Sequence, residues 1–184
     1  MSNAIETLMY KLALLLVWLA GLFLVAMMVQ VFADVAMKYL FNSPIPGTAE
    51  IVARWYMVAA VFLPLPYVEM RNSGISVDLF YNMFGPGLRR LIMLLAYLGQ
   101  TLFFGLLAYQ STFDALKSYS RGEYIDGQIA VVIWPAFFFL PIGLWLATAI
   151  SIYRIFQTLT RSDWEDLLEF NSYDEPDRPV KDSV

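Results

Sequence analysis

The chain has no cysteine and no histidine, and only 15% of its residues are charged. Without cysteine there is no disulfide, no thiolate nucleophile, and no Fe–S or thiolate zinc site. Without histidine the commonest general base near neutral pH and the commonest metal ligand are both missing. These absences argue against most membrane enzymes, haem carriers and metal transporters, and no cofactor is expected. The net charge of −4 gives no support for nucleic-acid binding.

What the chain does have is apolar residues, 59% of the total. A water-soluble fold of this size cannot bury so much apolar surface, so part of the solvent must be lipid. Leu12 to Ala33 carries no charge over 22 residues, about 33 Å as a helix, enough to span a bilayer. Val31-Phe32-Ala33 resembles a weak signal-peptide processing site, but the run exceeds the apolar core of such a peptide, about 7–15 residues. It therefore reads as a span, with Met1 to Tyr10 as a short polar lead. Three further spans follow, giving four in all at about 12–33, 51–68, 88–113 and 131–153. The fold class expected is an all-α membrane protein. Residues 1–160 form the transmembrane domain and 161–184 an acidic, largely disordered tail.

The connections carry most of the information. Between the first two spans lies K-Y-L-F-N-S-P-I-P-G-T-A-E, residues 38–50. Asn42, Pro44, Pro46 and Gly47 make an extended turn and Thr48 stands where its hydroxyl would cap the next helix. Glu50 falls near the positive helix end, and Arg54 lies one turn further on as its i,i+4 partner. Either these two form a boundary pair with Arg54 snorkelling outward, or they anchor the proline crossing against a partner. Pro64 and Pro66 bend or end the second span. In the next connection Val77, Phe80, Tyr81 and Phe84 share one helical face while Asp78 and Asn82 share another. A short amphipathic helix is expected there, lying in the headgroup region or docked on a partner. After the third span the helix should run on into water, with Lys117 and Arg121 near its negative end and Gly122 as its cap.

Chemistry inside the spans is sparse. Gln100 and Thr101 are the only polar pair well inside a span, and a helix–helix hydrogen bond explains them more simply than a solute site. Counting Lys and Arg near the spans, Lys11, Arg71, Arg89, Arg90, Arg154 and Arg161 lie on one side. Lys38, Arg54, Lys117 and Arg121 lie on the other. The bias places both termini in the cytoplasm and the proline crossing in the periplasm.

The order and spacing of K-Y-L-F-N-S-P-I-P-G-T-A-E, a span, and R-N-S-G-I-S-V-D-L-F ending near Asp78 resemble the small membrane subunit of TRAP transporters (DctQ-like), over roughly Lys11 to Arg154. Gly74 departs from the pattern, since many members carry a histidine there, and no role of that histidine is carried over. The resemblance implies a scaffold subunit of the inner membrane, paired with a larger membrane subunit that holds the solute and sodium sites. A periplasmic solute-binding protein would deliver an organic-acid-type solute, and membrane lipids would be the other contact. Asn42, Pro44, Pro46, Gly47, Thr48, Glu50, Arg54 and Asp78 are then the candidate partner-contact or structural residues, with no catalytic or metal residue. The rival from a different class is a small self-assembling channel or carrier that moves its own solute, and a membrane enzyme comes third.

Overall fold

A computed structural model describes residues 2–71, 86–126 and 129–160. The amphipathic helix expected around Asp78, Gly74 itself, and the acidic tail lie outside the described residues. Those residues include four helical stretches long and apolar enough to cross a membrane.

The first helix, α1, runs from Ser2 to Phe41 without a break, about 60 Å at 1.5 Å per residue. The polar lead expected before the first span is thus helical. It contains no proline or glycine to stop the winding. The helix ends where Asn42 turns left-handed (φ 52°), a conformation that asparagine tolerates better than most residues. Pro44 then holds the chain extended.

The second span is a chain of short pieces. It comprises α2 (Thr48–Ile51), a π-helical stretch (Val52–Tyr56), α3 (Met57–Phe62) and α4 (Leu65–Met70). Pro64 and Pro66 explain the break between the last two, because neither has an N–H to continue the ladder. Pro66 leaves the Phe62 carbonyl without its i+4 donor. That carbonyl points at Gly143 of the fourth span. A Cβ built on Gly143 would sit 2.8 Å from the Phe62 carbonyl carbon, and closer still to its oxygen. Glycine is therefore what allows the two spans to touch backbone to backbone.

The third span, α5, runs from Pro86 to Arg121, about 54 Å. Its end is a Schellman motif. Gly122 has φ 59°, the Gly122 N–H donates to the Tyr119 carbonyl (3.1 Å), and the Glu123 N–H donates to the Ser118 carbonyl (3.1 Å).

Helix was expected from about residue 131, but the chain first makes a strand. β1 (Tyr124–Asp126) pairs antiparallel with β2 (Ala130–Val132), with Ile125 opposite Val131. The β-branched residues Ile129, Val131, Val132 and Ile133 favour extended backbone, and Pro135 delays the helix. A 3₁₀ turn (Ala136–Phe138) leads into α6 (Phe139–Thr160). Pro141 lies in the first turn of α6, where backbone donors lack helical acceptors in any case.

The core is built around α6, the most enclosed of the four spans. Leu16 and Ala20 of α1 meet Ala59 and Leu63, with Phe139 and Leu146 packed alongside. Towards one end Met9, Met70 and Ile150 form a second cluster. The start of α1, the end of α4 and the later part of α6 therefore lie at the same end, as up-and-down topology requires. The α5 helix packs chiefly on α6.

Candidate functional site

The crossing between α1 and α2 is held by bonds from three sides. Ile45 is the one residue between Pro44 and Pro46, so its N–H is the single backbone donor in that stretch. It donates to the Asp34 carboxylate at 2.6 Å, a charge-assisted bond across the turn. Gly47 has φ 82° and is buried beneath the Ile129 side chain, which a Cβ would approach to 2.7 Å. Thr48 does not cap α2. Gly47 occupies the cap position, so Thr48 lies inside the first turn and its hydroxyl donates to the Ile45 carbonyl at 3.1 Å.

From the other side the Trp55 Nε1–H donates to the Val132 carbonyl at 3.0 Å, tying the β-hairpin to the second span. The Trp55 ring also meets Phe139 edge-on at 6.1 Å. Tyr56 donates through its hydroxyl to Gln30 at 2.7 Å, joining the second span to α1. The π-helical winding places Trp55 and Tyr56, neighbours in sequence, both partly inward. A wider turn does this by adding one residue to the circuit.

Asn42, Pro44, Pro46 and Arg54 are exposed, Glu50 is half-buried, and Gly47 and Thr48 are buried. Glu50 lies in α2 and Arg54 in the π stretch that follows it. Asp78 lies outside the described residues. Asn42 to Thr48 thus form one shaped connection, with Gly47 and Thr48 serving its interior.

A second polar group lies within the bundle. Glu69, expected to open the polar connection after the second span, sits instead on α4 and accepts a hydrogen bond from Gln100 of α5. Arg154 of α6 is 8% exposed and acts electrostatically on Glu69. Its guanidinium donates to the Met70 carbonyl at 2.6 Å, one of the carbonyls left open at the end of α4. Arg90 of α5 donates twice to Thr158 (3.1 and 2.8 Å) and once to Leu159 (2.8 Å). It thereby caps the carbonyl end of α6, where a cation suits the helix dipole. Thr101, beside Gln100, has a buried hydroxyl without a hydrogen-bond partner.

Reading residues alone missed Asp34, the bond from Trp55 to the hairpin and the inward role of Arg154. A signal for the first existed, since an N–H isolated between two prolines needs an acceptor. The nearest acid upstream is Asp34. No local signal marks Arg154, because its partner is 84 positions away.

Chemically the arrangement is self-contained. Among the described residues no group of three or more acidic side chains is placed to hold a metal ion. A groove of about 620 Å³ along α5 is lined by Leu95, Leu98, Gly99, Leu102, Gly105 and Thr148 among others, and no charged group lines it. The polar side chains inside the bundle are mostly spent on one another and on backbone.

Four helices long and apolar enough to cross a membrane define a multi-pass α-helical membrane protein. The sequence matches, over residues 27–161, the family described as tripartite ATP-independent periplasmic transporters, DctQ component. That match covers most of the chain, and the chain belongs to this family: it is a small TRAP transporter membrane subunit. Comparison with curated proteins and with solved structures gives no match.

Proposed function

We propose that this subunit is a scaffold for a larger membrane subunit in the sodium-coupled uptake of an organic-acid-type solute, delivered by a periplasmic solute-binding protein. The observation that carries this reading is the internal use of polar groups. Asp34, Gln30, Glu69, Gln100, Arg90 and Arg154 all bond within the chain. A carrier instead needs polar groups near the midplane that replace water around its cargo. The motor and the solute site belong to the larger subunit.

The chain sits in the bacterial inner membrane with both termini cytoplasmic. Lys11, Arg71, Arg90 and Arg154, one from each span or its end, support this orientation through the positive-inside bias. The proline crossing and the hairpin then face the periplasm, and Asn42, Pro44, Pro46, Glu50 and Arg54 belong to the docking surface for the solute-binding protein. Gly47 and Thr48 keep that surface in shape.

Two experiments test the reading. Purified in mild detergent from a strain that makes the whole system, the chain should retain a larger membrane protein. A chain that stays monodisperse and never retains one counts against the scaffold role. Reconstituted alone in liposomes, it should move no solute, whereas flux by the chain alone favours a self-assembling carrier.

A further inference from the structure

The two ends of the first span carry the same pair of residues in mirrored order, Tyr10-Lys11 and Lys38-Tyr39. The α1 helix is unbroken between them. The two lysines are 27 residues apart, so they stand about 40 Å apart along the axis. That length matches the ~40–45 Å between the outer headgroup layers of a bilayer rather than the ~30 Å of its hydrocarbon.

Exposure follows the same plan. Both lysines are exposed. Between them the outward face is wholly apolar, with Leu15 62%, Trp18 75%, Leu22 65% and Phe32 74% exposed. The only charge in that interval is Asp34, whose carboxylate is engaged by the Ile45 N–H. Glu6, the other acid on α1, lies on the headgroup side of Lys11.

The far end of α1 decides what covers it. Tyr39, Leu40 and Phe41 are 82%, 76% and 68% exposed. Successive residues on a helix point about 100° apart, so with Lys38 they face all round the axis. A protein surface covers one side of a helix, while a headgroup layer surrounds it. Tyr and Lys are also the residues that suit that layer, an amphipathic ring and a cation on an apolar stem.

We propose that α1 is a phospholipid-anchored staff. Lys11 and Lys38 each engage headgroup phosphate in opposite leaflets, and Tyr10 and Tyr39 lie in the same two layers. Together they set the depth and tilt of the span against which the second span is built. The anchoring requires no partner subunit, so it stands apart from the scaffold reading.

The absence of cysteine makes the test clean. Single variants Leu15→Cys, Leu22→Cys, Val29→Cys and Leu40→Cys of the full chain carry one nitroxide each. They are reconstituted alone in phosphatidylethanolamine–phosphatidylglycerol vesicles, and depth is read by electron paramagnetic resonance from oxygen against nickel-chelate accessibility. The expected profile is deepest at Leu22 and Val29, on either side of the midpoint between the lysines, with the Leu40 label in the headgroup layer. Replacing both lysines (Lys11→Gln with Lys38→Gln) should displace the profile by about one turn, roughly 5 Å. It should also lower phospholipid retained in native mass spectrometry several-fold. The Lys11→Arg with Lys38→Arg pair should restore both readouts, which guards against a folding defect in the glutamine variants. A Leu40 label in bulk water, or a profile unmoved in the glutamine variants, overturns the proposal. So does a Leu40 label shielded only after a second membrane protein is added.

Discussion

Gly143→Ala is the sharpest perturbation the fold offers. The new methyl would lie 2.8 Å from the Phe62 carbonyl carbon, against about 3.5–4.0 Å for ordinary carbon–carbon contact. The obstacle is backbone, with no rotamer to yield, so the second and fourth spans must part by about 1 Å. A gap of that size forfeits a quarter to a half of each dispersion well it opens. The cost falls on the packed cluster of Leu16, Ala59, Leu63 and Leu146 nearby. Overpacking of this kind costs ~1–3 kcal/mol, offset by up to ~1 kcal/mol for the better helix propensity of alanine. A net loss of about 1–2 kcal/mol is expected.

Gly99→Ala is the control, because nothing lies within 4 Å of its Cβ position. It should be neutral or gain up to ~1 kcal/mol. The assay is equilibrium unfolding of the purified chain in mixed detergent micelles, followed by helical circular dichroism. The two alanine variants should differ by roughly 1–3 kcal/mol in apparent stability. Equal stability of the two would refute the backbone-to-backbone account of this crossing.

Three further expectations concern the crossing and the polar core. Asp34→Ala leaves the Ile45 N–H without its acceptor, a loss of about 1–3 kcal/mol. Amide exchange should rise locally over Ile45 to Ile51, while Asp34→Asn retains an acceptor and much of the protection. Gly47→Ala adds a left-handed backbone penalty of roughly 1–2 kcal/mol to a collision with Ile129. Adding Ile129→Ala should recover the collision and not the backbone term, so a double-mutant cycle should show coupling above about 0.5 kcal/mol. Arg154→Leu removes the donor from the Met70 carbonyl and leaves Glu69 without its nearby cation. Leaving that carbonyl without its donor costs ~1–3 kcal/mol, and thermal unfolding in detergent should fall accordingly. An Arg154→Leu protein as stable as its parent would mean that the α4–α6 junction rests on apolar packing alone.

The spans and the class of protein were legible in the residues, because lipid imposes a coarse rule. About 20 apolar residues in a row have few other solvents to occupy, and the runs around Leu12–Ala33 and Leu91–Phe113 obey it. Gly122 was legible for a local reason, a helix end with basic residues before it and a glycine after. The family was legible in the order of its connecting motifs. Helix ends were less so. Neither the start of α1 at Ser2 nor the strand at Ala130–Val132 follows from hydropathy, since hydropathy reports solvent and not backbone conformation.

What the residues determined on their own, then, is the medium: a chain with four lipid-sized apolar runs belongs in a bilayer. Tertiary structure decided how the polar minority is spent. Asp34 meets Ile45 across a turn, Glu69 meets Gln100 from another helix, and Arg154 reaches a carbonyl 84 residues away. The last two pairings, 31 and 84 positions apart, leave no trace in local composition, because they depend on which helix faces come together. Away from water, polar groups such as these are satisfied by partners within the protein.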